Sequence, residues 1–234
     1  MFASVQNYRD RLPDSVYDLA LRLGARCNGG EVTFRQRGKM KDVGESRWMT
    51  FKAAQTIRLD HCAFEWRARA GPLWMIGVRD ALEDGTGGLS VTALGLFVIS
   101  EPHASAALTR GELLRYLAEL PLAPDAILLN NKLQWQQITP DIYTVSSGDG
   151  ATVSQIELTL DSDGRIGSIY AQGRPRRVAD HFVLTPWRGS FSEYQLRDGR
   201  WIPARAEVGW EFDGKLDICW QGQIQDWKIL PRSL

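Results

Sequence analysis

Cysteine is scarce in this sequence, and neither sign of charge is in excess. Cys27, Cys62 and Cys219 are odd in number, far apart and outside any CxxC spacing. That pattern suggests neither a disulfide framework nor a zinc site, so buried free thiols are expected. Histidine is equally sparse, and His61, His103 and His181 have no partner at i+3 or i+4, so no metal centre is expected. The 28 basic side chains are matched by 28 acidic ones, which removes the general electrostatic case for a nucleic-acid partner or an anionic membrane.

Long hydrophobic runs are missing too. The most apolar stretch, GGLSVTALGLFVIS over 87–100, is rich in glycine and shorter than the roughly 20 apolar residues of a helical span. No membrane span is expected. The N-terminal MFASVQNYRDRLPDS reaches charge at Arg9 with no apolar segment before it, which is not a secretory signal and sets a cytoplasmic expectation. Gly85, Gly87 and Gly88 in EDGTGG precede a strand pattern rather than a helix, and no Gly-Lys-Ser/Thr follows, so the segment reads as a turn and not a phosphate cradle. No cofactor is called for.

What is present is periodicity. With 234 residues and 44% hydrophobic content the chain can bury a sizeable core, and no low-complexity linker divides it, so 1–234 reads as one domain. Leu12, Val16, Leu19 and Leu23 share one helical face between Pro13 and Gly24. From Glu31 the period becomes two: EVTFRQR, RWMTFKAAQTIR, FEWRARA and LWMIGVRD predict four strands in a meander, with another over 89–99. LTRGELLRYLAEL then predicts a helix with Thr109 and Glu112 as its capping box and Leu108 and Leu113 as its staple. Its stripe is Leu113, Leu114, Leu117 and Leu120, leaving Glu112, Arg115, Tyr116 and Glu119 largely off the apolar face. APDAILLN predicts a further short helix, so helices around 108–130 separate two blocks of strands.

Asp-Gly pairs at 149, 163, 198 and 213, with Asp84-Gly85 earlier, punctuate the chain as hairpin turns. In WRGSFSEYQLRDGRWIPARAEVGW a two-residue turn at Asp198-Gly199 sets Leu196 against Trp201 and Tyr194 against Pro203. Tyr194, Trp201, Arg205 and Glu207 then share one face, and Phe191, Ala206, Val208, Trp210 and Phe212 the other. Keeping that second face apolar in the next hairpin, with Val208 against Trp220, requires an odd residue, expected as a bulged turn at Asp213-Gly214. Rings on both faces imply that one is core and the other borders a helix or cavity.

Few residues suggest chemistry. Asp80 follows an apolar run and precedes the glycine-rich turn, where it can act as a general base, orient a polar headgroup, or simply accept N–H bonds from the turn. Arg115 and Glu119 stand four apart on the helix, either as an exposed pair or as the polar end of a cavity beside Tyr116. Arg174, Arg176 and Arg177 in GRPRR can grip a carboxylate or phosphate, though solvated loop charges are the simpler reading.

RGKMKDVGESRWMTFKAAQ, RDALEDGTGGLSV with RGELLRYLAEL, and TPWRGSFSEYQLRDGRWIPARAEVGW together resemble a bacterial family of uncharacterised proteins, over about residues 10 to 225. Its fold is similar to the lipoprotein-localisation (LolA/LolB-like) type. The resemblance implies an α+β fold: a strongly curved antiparallel half-barrel with helices covering the concave side. The reading that follows is a binding protein for an apolar or amphipathic small molecule, lipid-, isoprenoid- or polyketide-like. Asp80, Arg115 and Tyr116 would hold its polar end, and Trp135, Trp187, Tyr194 and Trp210 supply rings. The alternatives are a cofactor-independent isomerase, cyclase or hydrolase using Asp80, Glu119 or Tyr116, and a protein-interaction module.

Overall fold

In the computed structural model, which describes residues 9–93, 97–100 and 103–231, the first turn-to-helix signal gives α1 (Asp14–Arg22). Pro13 caps α1, and Val16, Leu19 and Ala20 are buried. Six strands follow: β1 (Gly29–Met40), β2 (Met49–Arg58), β3 (Phe64–Ala70), β4 (Ile76–Glu83), β5 (Thr86–Ala93) and β6 (Phe97–Ser100). Two helices, α2 (Ala106–Ala118) and α3 (Asp125–Leu129), precede seven more strands. These are β7 (Gln134–Thr139), β8 (Ile142–Ser147), β9 (Ser154–Leu160), β10 (Ile166–Val178), β11 (His181–Arg197), β12 (Arg200–Phe212) and β13 (Lys215–Pro231).

All thirteen strands form one antiparallel sheet in the order β6-β5-β4-β3-β2-β1-β13-β12-β11-β10-β9-β8-β7. The chain therefore starts at the middle of the sheet and steps outward to β6. The helices carry it across one face to the far edge, from which β7 to β13 step back until β13 pairs with β1. Among the described residues β6 and β7 do not pair, so the sheet stays an open, curved half-barrel. Local hairpins explain the order: Asp84-Gly85, Asp198-Gly199 and Asp213-Gly214 each place both turn residues at positive φ, between 48° and 75°, as a two-residue primed turn requires.

Several expectations are corrected by the backbone. Leu73 and Trp74 are not strand but a tight turn at φ 54° and 59°, with Leu73 86% exposed, and β4 starts at Ile76. The strand expected over 89–99 is divided between β5 and β6, and residues 94–96 lie outside the described residues. Asp80 lies within β4 opposite Trp66 and Leu89, not at the sheet's end. The odd residue of the last hairpin is Cys219, inside β13: Asp213-Gly214 is a regular turn, Val208 pairs with Trp220 as expected, and Gly209 pairs with Ile218. GRPRR is strand, not loop.

The second helix begins one turn before the expected start. Ser105 is its cap, its hydroxyl accepting from Leu108 N at 3.1 Å. Thr109 lies inside α2 and its Oγ1 accepts from the buried Gly87 N at 3.0 Å, joining helix to strand β5. The approach is so close that a Cβ on Gly87 would stand 2.8 Å from Thr109 Cα, which is why glycine is needed there. The helix is buried nearly all round, Glu112 and Tyr116 included, because it is wedged between both arms of the sheet.

The other tie is ionic. Arg200 grips Asp125 with two bonds of 3.1 and 2.8 Å while Arg26 N donates to the same carboxylate at 3.1 Å. Their side chains are only 3% and 2% exposed, so α3, the β11–β12 turn and the segment after α1 are fixed to one another by a fully desolvated pair. We expect Asp125→Ala to cost about 3–5 kcal/mol, the scale for stranding one buried partner, read as a fall in urea midpoint. Ser105→Ala and Thr109→Ala separate the two roles at the start of α2. The first loses a cap worth about 1 kcal/mol. The second strands the Gly87 N–H at about 1–3 kcal/mol and speeds its amide exchange, whereas no change at Gly87 would count against the bridge.

Candidate functional site

Between α2 and the concave face of the sheet lies a cavity of 240 Å³. The walls come from both arms: Trp66 on β3, Trp187 and Phe191 on β11, Val208 and Trp210 on β12, and Trp220 on β13. Its polar side is made by Asp80, Arg115, Glu119 and Arg174. A broader groove of 690 Å³ crosses the opposite face over Gly38 and Gly222, but Arg37, Lys39, Lys52, Arg205 and Glu207 line it and it lies open to solvent. The ring-lined cavity, the more sheltered of the two, has the character of a small-molecule site.

Arg115 organises the polar side. Its Nη1 donates to Asp80 Oδ2, and its Nε donates to Glu119 Oε1 at 3.0 Å. The guanidinium lies 4.8 Å from the Phe64 ring centre and 5.2 Å from that of Trp66, so aromatic faces supply the rest of its shell. The chain continues into the sheet: Gln55 Nε2 donates to Glu119 Oε2, Gln36 Nε2 to Gln55 Oε1 at 3.3 Å, and Trp66 Nε1 to Gln36 Oε1 at 2.7 Å. Burial alone would push the Arg115 pKa down, but Glu119, Asp80 and Glu112 outweigh it and hold the cation more firmly than usual. Burial raises Glu119 above the ordinary carboxylate range against the pull of Arg115 and Gln55.

Glu112 sits one helical turn before Arg115 and is 5% exposed. Burial first, and the Asp80 charge second, push its pKa well above the ordinary value, against the pull of Arg174 and Arg115. Asp80 Oδ1 and Glu112 Oε2 each lack a donor while both groups are ionised. The raised pKa means that Glu112 holds its proton more firmly than a free glutamate does, which eases the repulsion between the two acids. The expected acceptor role of Asp80 toward the glycine-rich turn is replaced by these contacts with α2.

The cavity thus joins Asp80, Arg115, Glu119, Trp187 and Trp210 from the sequence-predicted set. Tyr116 is elsewhere: its hydroxyl donates to Arg58 O at 3.1 Å and accepts from Asn130 Nδ2 at 3.0 Å, and burial raises its pKa. Tyr194 faces away, donating to Ile166 O at 2.6 Å, and with Trp201 it flanks Arg165, whose Cζ is 3.9 Å from the Trp201 ring centre. Trp135, on the edge strand β7, lies outside the cavity lining. Sequence reasoning passed over Glu112 as a cap and left Arg174 as a surface charge. A glutamate seven residues into a buried helix, and an arginine flanked by glycine and proline in a strand, were the available signals.

Glu112 provides a test with a defined sign. The unfolded glutamate releases its proton near pH 4.5 while the native one keeps it to higher pH. Stability is therefore fully present below pH 4.5 and falls as pH rises from there through the native pKa. Glu112→Gln cannot ionise, so we expect stability at about pH 7 equal to or above the parent and a shallower fall over roughly pH 5 to 8, followed by urea denaturation. An unchanged slope would place the native Glu112 proton on another group.

The fold has solved counterparts. A DUF1329 family protein from Desulfovibrio piger aligns with a TM-score of 0.50 at 12% identity, over 92% of this chain and 92% of that one. A domain from Vibrio parahaemolyticus named for outer membrane lipoprotein sorting aligns with a TM-score of 0.50 at 10% identity, over 92% and 91%. A LolA superfamily protein from Nitrosomonas europaea aligns more loosely, at 0.48 and 10% identity over 94% of each chain. The fold is of the same curved-sheet type as the first two. No curated protein matches the sequence. Residues 21–228 match the model of a family of unknown function, DUF6920, and the chain belongs to that family.

Proposed function

We propose that the protein binds a hydrophobic or amphipathic small molecule, lipid-, isoprenoid- or polyketide-like, in the cavity beneath α2. The observation that carries this reading is the composition of the lining: Trp66, Trp187, Trp210 and Trp220 with aliphatic side chains, beside the charged Asp80, Arg115, Glu119 and Arg174. Such a surface gives an apolar body a place to desolvate and a polar end a fixed orientation. At 240 Å³ the cavity falls just below the ~300 Å³ at which sites for drug-sized ligands begin, so the occupant is short or leaves part of its chain outside. The fold likeness is consistent with lipid-like cargo but assigns none.

A second reading rests on Glu112 and Asp80. A carboxylic acid that keeps its proton beside an ionised partner is the pairing used for general acid–base chemistry, and Asp80 borders the cavity. An enzyme would transform the bound molecule, whereas a carrier returns it unchanged. Native mass spectrometry of protein purified from its source should show a bound lipid-like mass. Extraction, reloading and incubation should return the same mass if the protein is a carrier, and a shifted one if it is an enzyme. Trp187 and Trp210, 3% and 8% exposed, should resist aqueous quenchers and change emission on loading. Protein that holds nothing, and whose emission no apolar compound alters, would remove the binding reading.

A further inference from the structure

Arg174 reaches the cavity because β10 is irregular. Ala171 pairs with Trp187 and Arg174 with Thr185, so three steps on β10 match two on β11, and the extra residue turns Arg174 onto the concave face. Its Cζ lies 4.4 Å from the Trp187 ring centre and 5.6 Å from that of Trp210. Nε donates to Gly111 O at 3.2 Å, at the helix that roofs the cavity. Among the described residues no carboxylate lies within ion-pair distance of this guanidinium, and neither terminal nitrogen has an acceptor. Trp187 Nε1, buried in the same wall, also has no acceptor.

Arg115 differs in that two carboxylates already pair with it, Asp80 at Nη1 and Glu119 at Nε. Glu112 feels the Arg174 charge, which pulls its pKa down against burial, but among the described residues it makes no ion pair with that guanidinium. A planar guanidinium with its terminal edge free takes a carboxylate through two parallel bonds. A phosphate takes the same two bonds but has a further oxygen and a further charge, for which, among the described residues, only the indole N–H stands free in that wall.

We propose that the molecule held in this cavity is a carboxylic acid with an apolar body, and that Arg174, not Arg115, holds its carboxylate, with Trp187 Nε1 as the adjoining donor. The inference rests on the binding reading above and specifies its headgroup. Decanoate and 1-decanol share an apolar chain and differ at one end, so titrating each against tryptophan emission separates the two claims. The wild-type protein should bind decanoate at least ten-fold more tightly than 1-decanol. Arg174→Gln should erase that preference, so that the two compounds bind equally, and Arg174→Lys should keep part of it as a point charge without the fork. Equal affinity for the two compounds in the wild-type protein overturns the carboxylate but not the cavity. A preference that survives in Arg174→Gln puts the headgroup at another residue and overturns the assignment. Binding of neither compound overturns the reading on which the proposal rests. Should Arg174→Gln fail to fold, Arg174→Lys decides: an undiminished preference there removes the bidentate role.

Discussion

The contact between Arg115 and its two carboxylates is the constraint around which the interior is arranged. A helix lying in a half-barrel must present something to both arms, and α2 presents leucines along one stripe and Arg115 with Glu119 along another. Without the cation, Asp80, Glu119 and Glu112 would stand together in a dry space and at most one could remain ionised at low cost. With it, Asp80 on β4 is drawn to the helix, Glu119 is tied through Gln55 and Gln36 to Trp66, and the position of α2 over the sheet is fixed. The cavity is the space left where this arrangement meets the rings of β11, β12 and β13.

Much of the fold was legible because its determinants are local. Asp-Gly turns at 84, 198 and 213 set hairpins whose registers can be counted outward, and the pairing of Tyr194 with Pro203 and Leu196 with Trp201 follows directly. Failures came where local signals competed. Ser105 and Thr109 both offer a cap, and only the neighbouring Gly87 decides that Thr109 is inside the helix bonding to the sheet. The β13 bulge was inferable from the need to keep Trp210 and Trp220 inward, but not its place. Cys219 in mid-strand and the turn at Asp213 satisfy the same parity.

The site was less legible, for a related reason. A charged residue's partner depends on which strands become neighbours, and sequence order hides that. Asp80 and Arg115 are 35 residues apart, yet the outward meander brings β4 under α2. Tyr116 and Tyr194 looked like donors for a ligand, but backbone carbonyls of Arg58 and Ile166 take their hydroxyls. The ring-rich hairpin divides its rings between two tasks: Trp187 and Trp210 line the cavity, whereas Tyr194 and Trp201 hold Arg165 on the outer face. Arg174 was hidden by the bulge, since a regular strand would have turned it outward.

The polar cluster is costly where it stands, and that cost bears on function. Replacing a buried ion pair by apolar residues of similar volume is often neutral or stabilising by about 1–4 kcal/mol, so stability alone does not account for three acids and two arginines around one helix. Arg200 and Asp125 differ in kind: every nitrogen of that guanidinium donates to an oxygen, and the pair joins three segments. Around α2 the accounting stays open. Asp80 Oδ1, Glu112 Oε2, the Trp187 indole N–H and the terminal edge of Arg174 have no partner there among the described residues. Buried polar groups are ordinarily satisfied, so this concentration of unpaired atoms beside the ring-lined space is the feature on which the binding proposal rests.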